Sequence, residues 1–189
     1  GDDVEVKSPT RFVFTYGFKS GKPIPIGSSR VTITLEPDRI GTRLTLHHDL
    51  PNAAVRDEHV QGWRFQLSLF ANVVTDDLNA GAADVVDAWF QAWGDPDATK
   101  RESTMKRIAS PEVRFQDRFS NLDGMQDLLP HLAAGQKFMP GLRLKRDGAV
   151  RHCQGMVLCD WVVLAGETPK GKGTNAFVFG PTGEIEGVA

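Results

Sequence analysis

EHVQGWRFQL, residues 58–67, sets a glycine in the middle of an otherwise strong helical pattern. Glycine costs about 1 kcal/mol relative to alanine inside a helix, so Gly62 needs a physical reason. From Val55 to Val74 the apolar residues recur at helical spacing. Val60, Trp63, Leu67, Phe70 and Val74 form one stripe, and Phe65, Leu69 and Val73 lie on another side. A helix that is apolar on two sides needs cover on two sides, and one sheet supplies only one. Gly62 then reads as a point where the helix backbone closely approaches a flat surface.

Upstream, the period is two. RFVFTYGF puts Phe12, Phe14, Tyr16 and Phe18 on one face, RVTITL offers Val31, Ile33 and Leu35, and TRLTLHHDL offers Leu44, Leu46 and His48. GKPIPIGSS and EPDRIG supply the connections, so residues 4–50 read as an antiparallel meander. Downstream, TDDLNAGAAD (75–84) is the expected domain boundary. A second helix carries Val85, Val86, Trp89, Phe90 and Trp93, and a shorter polar helix follows GDPD. VRFQDRF reads as a strand, LDGMQDLLPHLAAGQKFM as a helix kinked or interrupted near Pro130, and LRLKRDG, AVRHCQGMVLCDWVVLAG and GTNAFVFGPTGEIEGV as further strands. The expected class is α+β, in two parts: residues 1–75 and residues 76–189.

Composition narrows the function. The net charge of −2 comes with interspersed signs, with no basic stripe for nucleic acid or an anionic membrane. No apolar run approaches the roughly 18 residues of a membrane span, and GDDVEVK lacks the build of a secretory signal. A cytoplasmic location is expected. Cys153 and Cys159, six apart on one face of one expected strand, would lie about 20 Å from each other and stay reduced and buried. No spacing suggests a metal site or a cofactor, and GTNAFVFGPTG lacks the ending of a phosphate loop.

GSSRVTITLEPDRIGTRLTLHHDLP followed by RDEHVQGWRFQLSLFANV resembles the C-terminal half of Hsp90-ATPase-activator-homologue-like domains, of the START-related, helix-grip superfamily. The resemblance covers roughly residues 3–75. It implies a partial helix-grip module, a meander crossed by a long helix, without the family's early strands and helices. An exposed apolar flank then follows, to be covered by the second part of the chain or by another subunit, and a homodimer is expected. VVDAWFQAW, VRFQDRF, LDGMQDL, HCQGMVLCDW and GTNAFVFGPTGEI, in that order, resemble SnoaL-like domains of the nuclear-transport-factor-2-like (NTF2-like) superfamily. That resemblance implies a cone of helices over a curved sheet around an apolar pocket. The superfamily includes isomerases, cyclases, dehydratases and members that only bind or pair.

Candidate chemistry falls in the cone. Counting by two along VRFQDRF puts Asp117 on the apolar side with Val113, Phe115 and Phe119, where desolvation would raise its pKa and suit it as a base. Alternatively, it bonds backbone amides in the SNLDG turn or pairs with an arginine. His152 points outward in the more apolar register of its strand, or inward beside Trp161 if a bulge falls at Gly155. His131 follows Pro130 and could overhang the pocket mouth. Trp89, Trp93, Phe115, Trp161, Asn175 and Phe177 are the expected pocket wall. His48 reads as a satisfied core or interface histidine. Two functions follow. One is cofactor-independent acid–base catalysis on a small apolar carbonyl compound, by Asp117 with His152 or His131. The other is a non-catalytic ligand-binding or assembly module. The isomerase pattern also uses a tyrosine in the cone, and the single tyrosine here is Tyr16, in the other part.

Overall fold

A computed structural model describes residues 1–39 and 41–189 of the chain. Ile40, within the expected EPDRIG turn, lies outside the described residues. The chain divides into two compact units, Gly1–Phe70 and Ala71–Ala189.

In the first unit, β1 (Asp3–Lys7), β2 (Arg11–Tyr16), β3 (Ser29–Asp38) and β4 (Gly41–His48) form an antiparallel sheet in chain order. Phe14, Val31 and His48 stand opposite one another across three strands, as do Phe12, Ile33 and Leu46. Residues directly opposite share a face, so the alternation in the sequence becomes one apolar sheet surface. Helix α1 (Ala53–Leu78) follows it. The Asn52 side chain accepts the Val55 N–H at its start, and the Asn79 amide bonds the Thr75 carbonyl near its end.

Val60, Trp63 and Leu67 of α1 are half-buried. The second apolar side (Phe65, Leu69, Val73) is not covered, nor is the C-terminal end of the first (Phe70, Val74): all five are 45–67% exposed. Among the described residues, none in α1 is fully buried. The close-approach reading of Gly62 is overturned, because a Cβ built there meets no atom within 4 Å. The glycine leaves open space.

In the second unit, α2 (Ala82–Gly94) and α3 (Ala98–Ile108) precede β5 (Ala109–Gln116), β6 (Asn121–Asp123) and α4 (Met125–Phe138), which runs through Pro130. β7 (Leu142–Arg146), β8 (Arg151–Cys153), β9 (Met156–Ala165), β10 (Thr168–Phe179) and β11 (Ile185–Val188) complete it. The seven-stranded sheet runs β6-β5-β11-β10-β9-β7, with β8 on β9, and is open at both ends. β11 pairs parallel with β5, and the other pairings are antiparallel. Asp97 caps α3, its carboxylate accepting the Thr99 and Lys100 N–H groups. Arg146 of β7 makes two hydrogen bonds to the Asp87 carboxylate of α2, at 2.9 and 2.8 Å, which ties helix to sheet and raises the guanidinium pKa further. Trp89, Phe90, Met105, Leu128, Leu132, Phe177 and Ile185 are fully buried in the core between helices and sheet.

Two expected strands are corrected. AVRHCQGMVLCDWVV is not one strand: Gln154 (φ 48°) and Gly155 (φ 80°) make a two-residue turn, and β8 folds back on β9. Two positive φ values in succession are what the tightest hairpin turn requires. Cys153 is exposed on β8 and Cys159 is buried on β9, both free; burial pushes the Cys159 thiol up to about 11. VRFQDRF ceases to be strand at Gln116, so Asp117 and Phe119 leave the alternation.

Candidate functional site

The cone places most of the expected wall together. The Trp89 ring contacts Trp93, Phe115 and Phe177 at centroid distances of 6.4, 6.2 and 6.0 Å. Trp89 and Phe177 are fully buried and Phe115 is 5% exposed, so these rings fill space by packing on one another. His131 is half-buried against Trp93 and Phe115, at 5.6 and 5.8 Å. Trp161 donates its indole N–H to the Asn175 side-chain oxygen at 2.8 Å. It lies flat across β10 because its partner there is Gly173, where a Cβ would fall 2.4 Å from the ring.

Asp117 is not with them. It is exposed, and its Oδ1 accepts the Phe119 and Ser120 N–H groups at 2.8 and 2.6 Å, while its own N–H donates to the Ser120 carbonyl. The residue opens the tight turn between β5 and β6, and Phe119 beside it is 86% exposed. Alternation predicts an inward Asp117 only while the strand continues, and the carboxylate's bonds to the backbone end it.

His152 does face inward, opposite the buried Val157, but through the hairpin and not through a bulge. Its Nδ1 bonds the Asp76 carboxylate at 2.8 Å and its Nε2 accepts the Gly155 N–H at 2.9 Å. Both ring nitrogens are engaged, and the imidazole ties the hairpin turn to the end of α1. Trp161 lies four residues from Val157, about 13 Å along the strand. The three residues expected to move protons thus occupy three separate places.

The first unit holds the arrangement that the sequence reading missed. An open groove of about 640 Å³ lies between α1 and the end of the sheet. Tyr16, Phe18 and Pro23 line one side, and Gly62, Trp63 and Phe65 the helix side, with Glu58, His59 and Gln66. Behind it stands a hydrogen-bonded relay. The Trp63 indole N–H donates to His48 Nδ1 at 3.0 Å, and His48 Nε2 lies 3.0 Å from the Ser29 hydroxyl, which donates to the Tyr16 carbonyl. Nδ1 accepts, so Nε2 carries the proton and His48 is neutral. Burial first, and the neighbouring His59 second, hold the His48 pKa below its ordinary value. His59 donates from Nδ1 to the Val55 carbonyl at 2.8 Å, while its Nε2 is buried without a partner. The available signals were Gly62 one turn after Glu58 and the aromatic face of β2. On the sequence alone the glycine reads as close helix packing and the aromatic face as part of an apolar flank awaiting cover.

Residues 4–75 match the family model described as Activator of Hsp90 ATPase homolog 1-like protein. No curated protein matches the chain. A SnoaL-like family protein from Agrobacterium tumefaciens, named as an isomerase, is similar in structure at 18% identity and a TM-score of 0.53, over 56% of this chain and 91% of that one. A protein from Sinorhizobium meliloti named as a polyketide cyclase matches over 56% and 91% at 16% identity and a TM-score of 0.45. An NTF2-like protein of unknown function from an Exiguobacterium species matches over 56% and 94% at 13% identity and a TM-score of 0.47. The chain therefore joins a stretch resembling Hsp90-ATPase-activator-homologue-like domains to a stretch that shares the fold of the SnoaL-like family protein from Agrobacterium tumefaciens.

Proposed function

We propose that the chain is a non-catalytic binding protein. Its N-terminal groove holds a small, largely apolar molecule and its cone serves as a packed scaffold. The observation that carries this reading is where open space and apolar walls coincide: at Gly62, Trp63, Tyr16 and Phe18, not among Trp89, Phe115 and Phe177, which pack on each other. Acid–base chemistry in the cone needs a proton-transfer group positioned beside open space, and Asp117 is the base the sequence offers. Asp117, bonded to two backbone amides in a turn, is not so placed. Assembly belongs to the same reading, with two copies pairing through the bare side of α1.

The test is titration with N-phenyl-1-naphthylamine, an uncharged fluorescent apolar probe. Saturable binding by the wild type should be lost in Gly62→Leu, which fills the groove without removing any contact of the fold. It should persist in Asn175→Leu, which alters the cone. The reverse pattern, loss with Asn175→Leu and none with Gly62→Leu, would move binding to the cone and end the proposal.

A further inference from the structure

The groove's walls differ from those of a plain apolar cleft in one respect. Four aromatic rings, Tyr16, Phe18, Trp63 and Phe65, line it, and its one carboxylate is Glu58, with no lysine or arginine among its lining residues. The rings do not stack flat on each other: Tyr16 meets Phe18 edge-on at 5.5 Å and 85°, and is tilted 50° to Trp63 at 6.2 Å. Rings at an angle do not cover one another completely, and Phe18 and Phe65 are 37% and 60% exposed. Trp63 is held in that pose by its bond to His48. Glu58 and Gly62 lie four apart on α1, so they share a side of the helix, and both line the groove.

A π face attracts cations, a nearby carboxylate adds to the attraction, and no lysine or arginine lines the groove to oppose it with a permanent charge. We infer that this groove takes an organic ammonium ion, with methyl or methylene groups against the rings and its charge towards Glu58. The inference rests on the binding role proposed for the groove and names the ligand's chemistry. A volume of about 640 Å³ exceeds what a bare tetraalkylated nitrogen needs, so the ion carries an additional apolar or hydroxylated body.

The experiment titrates the full chain with choline and, separately, with 3,3-dimethylbutan-1-ol, which has a neutral carbon in place of the nitrogen. The readout is the NMR signal of the Trp63 indole N–H, identified by its absence in Trp63→Phe. Choline should shift it saturably, and the neutral analogue should bind about tenfold more weakly. Glu58→Gln should weaken choline severalfold and leave the analogue unchanged. Equal binding of the two compounds, or choline binding indifferent to Glu58→Gln, overturns the ammonium inference while leaving an apolar groove in place. No shift of the Trp63 signal by either compound at tens of millimolar overturns both the inference and the groove's binding role.

Discussion

At the scale of the residue, His48 shows how one proton can fix a wall. Its Nδ1 accepts the Trp63 N–H, and a doubly protonated ring has no lone pair left to accept it. The folded pKa is lowered from 6.5, so the folded state binds fewer protons than the unfolded chain near that pH. The stabilisation is therefore complete above about pH 6.5 and declines as the pH falls towards the folded value. An NMR titration should find His48 titrating below 6.5 in the wild type and at a higher pH in Trp63→Phe, which loses the donor. A His48 pKa unmoved by that substitution would remove the bond from the account. Asp117 makes a second residue-scale case. Its carboxylate organises a turn, so Asp117→Ala should cost about 1 kcal/mol in urea unfolding, whereas Asn, able to make the same bonds, should cost at most about half of that. Gly62→Ala should raise stability by up to about 1 kcal/mol, because alanine gains helix propensity where no atom stands within 4 Å. A loss of stability there would restore the close-packing explanation.

At the scale of the element, periodicity made most of the architecture legible. The β2–β4 meander, the long α1, the aromatic α2 and the inward register of Val157, Cys159 and Trp161 all follow from periods of 2 and 3.6. Periodicity failed where a short local bond overrode it. Asp117 ended β5 with its own side chain, and Gln154–Gly155 folded one expected strand into two. The groove was illegible for another reason. It depends on α1 and the end of the sheet leaving space beside Gly62, and empty space has no sequence period. The hairpin supports a prediction of its own. Gln154 holds a left-handed φ of 48°, a conformation that costs a glutamine more than an asparagine or glycine. Gln154→Asn should therefore stabilise the cone by about 0.5 kcal/mol in denaturant unfolding. Gly155→Ala, at φ 80° and with the Phe179 carbonyl oxygen 3.3 Å from the new Cβ, should cost about 1 kcal/mol or more. Equal effects of the two changes would mean the turn is not the tight form described.

At the scale of the whole molecule, surface area speaks to a partner. Two compact bodies with the lengths of the two units, even touching nowhere, would together expose about 10,700 Å². The chain exposes 12,124 Å². The surplus of about 1,400 Å² exceeds the roughly 800 Å² that each member of a stable pair contributes to an interface. Part of it is apolar and concentrated, since Leu69, Phe70, Val73 and Val74 lie within two turns of α1 and are all close to or more than half exposed. A helix side of this kind is self-complementary about a two-fold axis, and a second copy is the partner always present with the chain. Light scattering on the intact chain at micromolar concentration should then return twice the chain mass. Leu69→Glu combined with Val73→Glu should return the single mass with unchanged helical circular dichroism, because both side chains already face solvent in the isolated chain. A wild type that stays at the single mass up to about 100 μM, far above the dissociation constants usual for interfaces of this size, would refute pairing through α1.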